Sequence, residues 1–521
     1  MARHFSCQRP LRVFRLPLGL GTLAVGLLVF LVGLVSFLHS NTQPYLSGGS
    51  QQQLEGDYAV LVDAGSSGSR VYLYTWQPHS GEPTDLLRIR QLQDPLGKPL
   101  VKKIEPGQTF SLFSPKQALA YLQPLLEFAS VHIPASKHQE TPLFILATAG
   151  MRLLPASQQE ALLGTVRTGI AANSTFLFSP EHVEIISGEQ EGLYLWVALN
   201  YIMGRLNHDH PAVPGGGVTP TLGVLELGGA SLQVAYEVAN KSGPSPVVEI
   251  NLGCRDHDPT HRHLVAVSTY LGLGANTAHS TYLSNLTAGA ISANKKCLLY
   301  RKVTNGSVIA EPCLPPGYRR LHSVDNTTVI LKGTGNLEDC RKALSSLVPH
   351  LVKPRSPLHF YGFSEFWYTM HDALGLGGSY QPRNYGAAAK EYCSTSWSVL
   401  LARFRRGLYP RSDLRRMQQQ CFKSAWMMEV LHTGLGFPLY GPPQLTSLDK
   451  LQDQSVQWVL GALLYRTRYF PLRCCVPTYL APDQHSAEDD LEPVEEVVTN
   501  DDNCGTSVGP AFAGTDGFDA G

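Results

Sequence analysis

The chain of 521 residues carries 42 Lys and Arg against 42 Asp and Glu, a formal charge of zero. Its hydrophobic content of 43% is ample for packed cores and excludes a mainly disordered chain, while the length calls for more than one domain. Charged residues make up only 16%, and the zero is a sum over regions: residues 1–15 hold four Arg and no acid, and 480–521 hold eleven acids and no Lys or Arg. The body between holds 38 basic (42 − 4) and 31 acidic (42 − 11) residues, so topology and motifs rather than charge argue against a nucleic-acid binder.

From Leu16 to Leu38 no residue is charged, long enough for one membrane-spanning helix and longer than the apolar core of a cleaved signal peptide. Arg3, Arg9, Arg12 and Arg15 precede it, and no acid appears before Glu55. The positive-inside rule therefore predicts a cytosolic leader over 1–15, a signal anchor over 16–38, a polar stalk over 39–56, and a lumenal or extracellular body. Val456 to Tyr465 is too short to make a second span. Sequons at Asn173, Asn240, Asn285, Asn305 and Asn326 fit an exported body. Of the ten Cys, Cys7 precedes the apolar segment and Cys504 lies in the tail, and the other eight fall between residues 254 and 475 without any CxxC pair, which favours disulfides over zinc. Cys313 with Cys340 and Cys393 with Cys421 are candidate bridges, the connectivity being open.

After the stalk, Asp57 to Val62 and Arg70 to Trp76 read as strands joined by a Gly/Ser turn, a hairpin by length. Ser114-Pro115 starts a helix running to about Ala129. Pro142 to Ala147 is a buried strand, 183–186 another, and Glu189 to Ile202 an apolar-faced helix. Thr221 to Leu227, the turn Gly228 to Ser231 and Leu232 to Tyr236 then repeat the first hairpin, each with an acid near the end of its first strand. A duplicated hairpin, each copy opening an α/β half, predicts two lobes facing across a cleft: 57–210 and 211–479. The segment 480–521 has eleven acids and no Lys or Arg, and reads as a disordered acidic tail.

In Asp63-Ala-Gly-Ser-Ser-Gly-Ser69, Gly65 and Gly68 permit positive φ, so that consecutive N–H groups can form an anion nest. Ser66, Ser67 and Ser69 add hydroxyl donors, and Asp63 a carboxylate for a divalent cation. Glu226 with Gly228, Gly229, Ala230 and Ser231 is the second copy. Two anion nests, each beside a carboxylate, are what a polyphosphate with a metal requires. A plain hairpin turn is the alternative for either copy alone.

Five segments in order, DAGSSGSR (63–70), ATAGMR (147–152), SGEQEG (187–192), LGGASLQ (227–233) and YGFSEF (361–366), resemble the five apyrase conserved regions. Those regions define the ectonucleoside triphosphate diphosphohydrolases, and the resemblance covers roughly 57–470. The wording GSSGSR, KHQETPLFILATAGMRLLP, YGFSEF and CFKSAW resembles types four and seven, the Golgi and lysosomal branch. The resemblance implies a duplicated actin/Hsp70-like (RNase H-like) α/β fold of two lobes, anchored by the N-terminal helix. It implies a lumenal hydrolase, dependent on Ca²⁺ or Mg²⁺, removing terminal phosphates from UDP, UTP, GDP and similar nucleotides, with no nucleic-acid partner.

Carried over by position, Glu191 matches the base that activates water, chemistry that needs a carboxylate near the nucleophile. Glu189 stands two residues away, off that helical face. Thr148, Ser231 and Gln233 match residues contacting the water or phosphate, and Asp63 and Glu226 match the carboxylates that hold the cation through water. Tyr368 matches a nucleobase-stacking aromatic, with a core position among Phe363, Phe366 and Trp367 as the alternative; Trp458 is a lesser candidate. The chain departs from the family at Glu226 (usually Asp), at Leu232 (usually Thr), at Ala275 near a base-contacting Arg of surface members, and at the acidic tail where the intracellular branch has a second membrane helix. Two competing functions follow: a nucleotide-binding protein impaired by Glu226, and a sugar kinase or Hsp70-type ATPase, the latter disfavoured by anchor and sequons.

Overall fold

The computed structural model describes residues 56–468 apart from 66–67, 80–84, 105–114, 207–219, 244, 254–260, 297–304, 325–326, 355–358 and 452–453. The leader, the expected span at 16–38, the stalk before residue 56 and the acidic tail lie outside the described residues. Among the described residues no helix is long and apolar enough to cross a membrane.

The first hairpin forms as the sequence predicts. β1 (Asp57–Gly65) pairs antiparallel with β2 (Gly68–Trp76), and on its other side parallel with β5 (Leu143–Ala147). β3 (Arg90–Gln91) and β4 (Val101–Ile104) both pair with β2, and β6 (Val183–Ile185) closes the sheet beyond β5. The second hairpin heads a seven-stranded sheet. β7 (Gly223–Leu227) pairs antiparallel with β8 (Ser231–Glu237) and parallel with β14 (Phe360–Ser364). β10 (Arg262–Leu271) and β9 (Val247–Asn251) extend it past β8, and β16 (Leu445–Ser447) and β15 (Gly378–Ser379) past β14. The duplication is therefore exact in pairing: Asp63 lies opposite Arg70 as Glu226 lies opposite Gln233. A third, smaller sheet of β11 (Val308–Glu311), β13 (Thr327–Gly333) and β12 (Arg319–Val324) stands apart from both.

Each large sheet is covered on both faces, so alternate residues along a strand enter different cores. Tyr58, Val60 and Val62 face outward with α1 (Pro115–His132) and α3 (Ala156–Asn173), while Ala59 and Leu61 face inward. In the second half Leu225 and Leu227 face outward and Val224 inward. By this period of two, Asp63 and Glu226 belong to the inward faces, at the carboxyl ends of their strands.

Between the sheets lie α4 (Gly188–Ile202) and α11 (Trp458–Arg466). Both are apolar on nearly every side because they touch one another and a sheet. α4 follows the first sheet yet packs on β7, β8 and β10 of the second; α11 follows the second sheet yet packs on β1 of the first. Their approach is so close that a Cβ at Gly461 would overlap the carbonyl oxygen of Tyr194. Two disulfides, Cys313–Cys340 and Cys393–Cys421, tie down the helical part of the second half, as paired in the sequence reading.

Candidate active site

The capping box at the start of α4 sets the first functional side chain. Ser187 Oγ accepts from Gln190 N at 3.1 Å and Ser187 N donates to Gln190 Oε1 at 2.8 Å. This places Glu191 in the first turn, where the helix dipole favours a carboxylate. A Cβ at Gly188 would overlap the Thr269 side chain, so the glycine lets that turn lie directly on β10. Glu191 is buried, and Glu189 is half-buried, as their different helical faces require.

Two donors converge on Glu191 Oε2: Arg152 Nη2 at 2.8 Å and Gln233 Nε2 at 3.1 Å. Gln233 Nε2 also donates to Ser231 Oγ at 2.7 Å, and Arg152 Nη1 is fixed by the Ile186 carbonyl at 2.8 Å. Arg152 ends the short helix α2 (Ala149–Arg152), which Thr148 opens at the end of β5. Burial pushes the Glu191 carboxyl above its ordinary value, and the Arg152 charge and hydrogen bond oppose this.

A cavity of about 140 Å³ lies between the two halves. Asp63, Gly65, Thr148 and Glu191 line it from the first half, and Glu226, Gly228, Gly229, Ala230, Ser231 and Tyr368 from the second. Asp63 Oδ2 pairs with Arg70 Nη1 at 3.4 Å. Burial, with Glu191 adding repulsion against the pull of Arg70, raises the Asp63 carboxyl to about 6. Glu226 is raised to about 8, by burial first and then by Glu191 and Asp63. Its Oε1 accepts from Ser364 Oγ at 3.1 Å, and its buried Oε2 has no hydrogen-bond partner. Ser364 is, among the described residues, the one non-glycine with positive φ (56°), a strained backbone of the kind that clusters at functional sites.

Mutually repelling carboxylates and an orphaned oxygen fit a cation. Among the described residues no group of three His, Cys, Asp or Glu forms a complete metal centre. The residues therefore suit an ion that keeps water or phosphate oxygens in its coordination sphere, as Mg²⁺ does.

Most of the expected residues meet here, with three adjustments. Ser69 points to the outer face: its amide donates to Tyr121 Oη at 3.2 Å and its buried hydroxyl has no partner, so Arg70 takes its place in the cavity wall. Of the turn glycines, Gly68 has positive φ (131°), whereas Gly65 stays in strand register with it. Ser66, Ser67 and Asn326 lie outside the described residues. The second turn is held from behind by α5 (Ala275–Lys296), whose Ala275 and Asn276 amides donate to Gly228 O and Gly229 O at 2.9 Å. Tyr368 lies in the cavity wall, which buried Phe363 also lines, while Phe366 is core. Trp458 also reaches the wall. Asn173, Asn240, Asn285 and Asn305 are exposed, although Asn285 is inside α5 with its Thr287 buried. The role of Arg152 was available in the sequence only as the last letter of ATAGMR.

A cleft between duplicated α/β halves, with paired glycine turns, facing acids and a buried carboxylate held by an Arg and a Gln, defines a phosphohydrolase of the two-lobed actin/Hsp70-like type. Residues 50–479 match the GDA1/CD39 (nucleoside phosphatase) family, and the chain belongs to it. It is 42% identical to ectonucleoside triphosphate diphosphohydrolase 4 of Mus musculus, covering 80% of this chain and 74% of that protein. It is 37% identical to the nucleoside-diphosphatase mig-23 of Caenorhabditis briggsae, covering 84% and 82%. The crystal structure of a nucleoside triphosphate hydrolase from Neospora caninum shares the fold, with a TM-score of 0.55 at 17% identity over 80% of this chain and 93% of that one. The protein is an enzyme that hydrolyses nucleoside tri- and diphosphates.

Proposed function

We propose that Glu191 activates the water that attacks the terminal phosphorus of UDP, UTP, GDP and similar nucleotides, in a lumenal domain anchored by residues 16–38 to an endomembrane such as the Golgi. The observation that carries this is the fixing of Glu191 Oε2 by Arg152 and Gln233 at the edge of a cavity lined by Asp63 and Glu226. Water oxygen bonds to phosphorus, its proton passes to Glu191, and the bridging P–O bond breaks to leave the shortened nucleotide and phosphate. Gln233 and Ser231 orient the water, Thr148 and the two glycine turns hold phosphate oxygens, and Tyr368 stacks on the base. Asp63 and Glu226 hold the cation, Ca²⁺ or Mg²⁺, which when bound neutralises phosphate charge. Two disulfides and four exposed sequon asparagines support the lumenal assignment.

The test is phosphate release from UDP with Ca²⁺ or Mg²⁺ against EDTA. Glu191→Ala is expected to abolish release and retain nucleotide binding; unchanged turnover would reject the role of Glu191. The impaired-enzyme reading draws on one observation, the unpartnered Glu226 Oε2. Glu226→Asp separates the two: a large gain in turnover would favour impairment, and an unchanged rate a tolerated substitution.

A further inference from the structure

We propose that a buried ion pair, Glu365 with Lys423, reads the edge of the nucleobase and selects uracil and guanine over cytosine and adenine. This rests on the nucleotide-hydrolase reading and names the substrate class within it.

The duplicated topology brings Glu365 to the cleft. Ala64 pairs with Ala147 and Leu227 with Ser364, so Thr148 and Glu365 are equivalent positions, each following the strand parallel to its hairpin. Thr148 lines the phosphate cavity, and so does Glu365, which opens α7 (Glu365–His371). Glu365 and Tyr368 also line a smaller adjoining cavity, whose far wall includes Asp372, Arg416 and Lys423. Arg416 is held by Asp372 at 3.0 Å and lies over the Tyr368 ring at 5.0 Å, covering one face of that ring.

Lys423 Nζ lies 2.8 and 2.9 Å from the two Glu365 oxygens, with the side chains only 9% and 17% exposed. Lys423 belongs to α10 (Leu414–Met428), between buried Phe422 and Ala425 and Trp426. A hydrophobic pair would suit such a helix face at least as well, because desolvation offsets most of the attraction in a buried ion pair. The pair is better explained by what it offers a ligand. An ammonium has three N–H groups, of which the carboxylate takes two, and the carboxylate keeps unused lone pairs. Together they present a donor beside an acceptor.

The complementary edge is a carbonyl beside a ring N–H, found at O4/N3 of uracil and O6/N1 of guanine. Cytosine and adenine carry the reverse, an amino group beside a bare nitrogen, which would set donor against ammonium and lone pair against carboxylate. Sites that hydrogen-bond a substrate group reject its mismatched analogue far more strongly than apolar pockets do. Of the segments YGFSEF and CFKSAW that hold the two residues, the phosphate chemistry uses Ser364 and leaves Glu365 and Lys423 without a role.

UDP against CDP is the direct test, since the rings match in size and differ at this edge. With the full-length protein in detergent, kcat/KM is expected to favour UDP by at least about tenfold, and UMP to bind more tightly than CMP. Glu365→Gln puts an amide N–H where cytosine N3 accepts, and should bring the ratio close to one or invert it; Lys423→Met should weaken UDP selectively. A wild-type ratio near one, or a ratio unchanged in both variants, overturns the proposal. If no nucleotide releases phosphate, the hydrolase reading fails, and the UMP and CMP dissociation constants still decide the edge-reading. Thermal melts identify a misfolded variant, in which case the wild-type ratio and the other variant decide.

Discussion

Arg152 joins two segments that the chain separates. One nitrogen of its guanidinium lies 2.8 Å from Glu191 Oε2, and the other 2.8 Å from the Ile186 carbonyl just before α4. Arg152→Ala removes the partner of a buried carboxylate, which costs about 3 kcal/mol, and frees Glu191 to swing. Urea melts should show that loss, and phosphate release should fall by about 100-fold. Arg152→Lys should recover little, because an ammonium cannot reproduce the planar fork that bridges two acceptors. Wild-type turnover in the Lys variant would show that charge alone matters.

Ser364 combines a strained backbone with a useful hydroxyl. Ser364→Gly relieves a positive φ worth about 1 kcal/mol or more, yet loses the bond to Glu226 Oε1. The variant is expected to melt at or above the wild-type temperature and to bind Ca²⁺ more weakly. Ser364→Ala keeps the strain and loses the bond, so it should be the less stable of the two. Equal Ca²⁺ affinity in all three proteins, measured by calorimetry, would show that Ser364 does not position Glu226.

His279 provides a pH signature. Burial first, then the charges of Arg320, Lys423, Arg415 and His322, lowers its value from 6.5 to about 3. The unfolded chain therefore binds the proton more readily between these values, and stability from this group is complete above about pH 6.5 and lost as pH falls toward 3. His279→Gln should flatten the acid limb of a plot of unfolding free energy against pH. An identical slope between pH 6.5 and 4 in both proteins would contradict the assignment.

The Cys313–Cys340 bridge spans 27 residues, and closing a loop of that length in the unfolded chain is worth roughly 3–4 kcal/mol. Cys340→Ser should lower stability by that order, and reductant should have no further effect at this bridge. A melting curve with and without dithiothreitol checks both statements.

Much of this architecture is legible in the sequence where local chemistry acts alone. Gly/Ser turns between apolar runs mark both hairpins, the length and apolarity of Leu143–Ala147 mark a buried strand, and the apolar face of Glu189–Ile202 marks α4. The orientation of Ser69 is not legible, because β2 is covered on both faces and Val71, Tyr72, Leu73 and Tyr74 are all apolar. A strand with one wet face would have shown the alternation. Arg152 with Glu191, and Glu365 with Lys423, meet only through tertiary packing across long stretches of chain. No periodicity encodes such pairs. The sheet of β11, β12 and β13 also escapes, being short strands with half-exposed faces.

The two halves are not simply neighbours joined by a loop. With α4 seated on the second sheet and α11 on the first, each half contributes a wall of the other's interior. Either half produced alone would leave apolar surface bare and should aggregate, whereas a nick in the loops between them should leave the enzyme assembled and active. The seam between the halves thus comes into being only when both have closed on one another, so that folding and assembly of the site are one event.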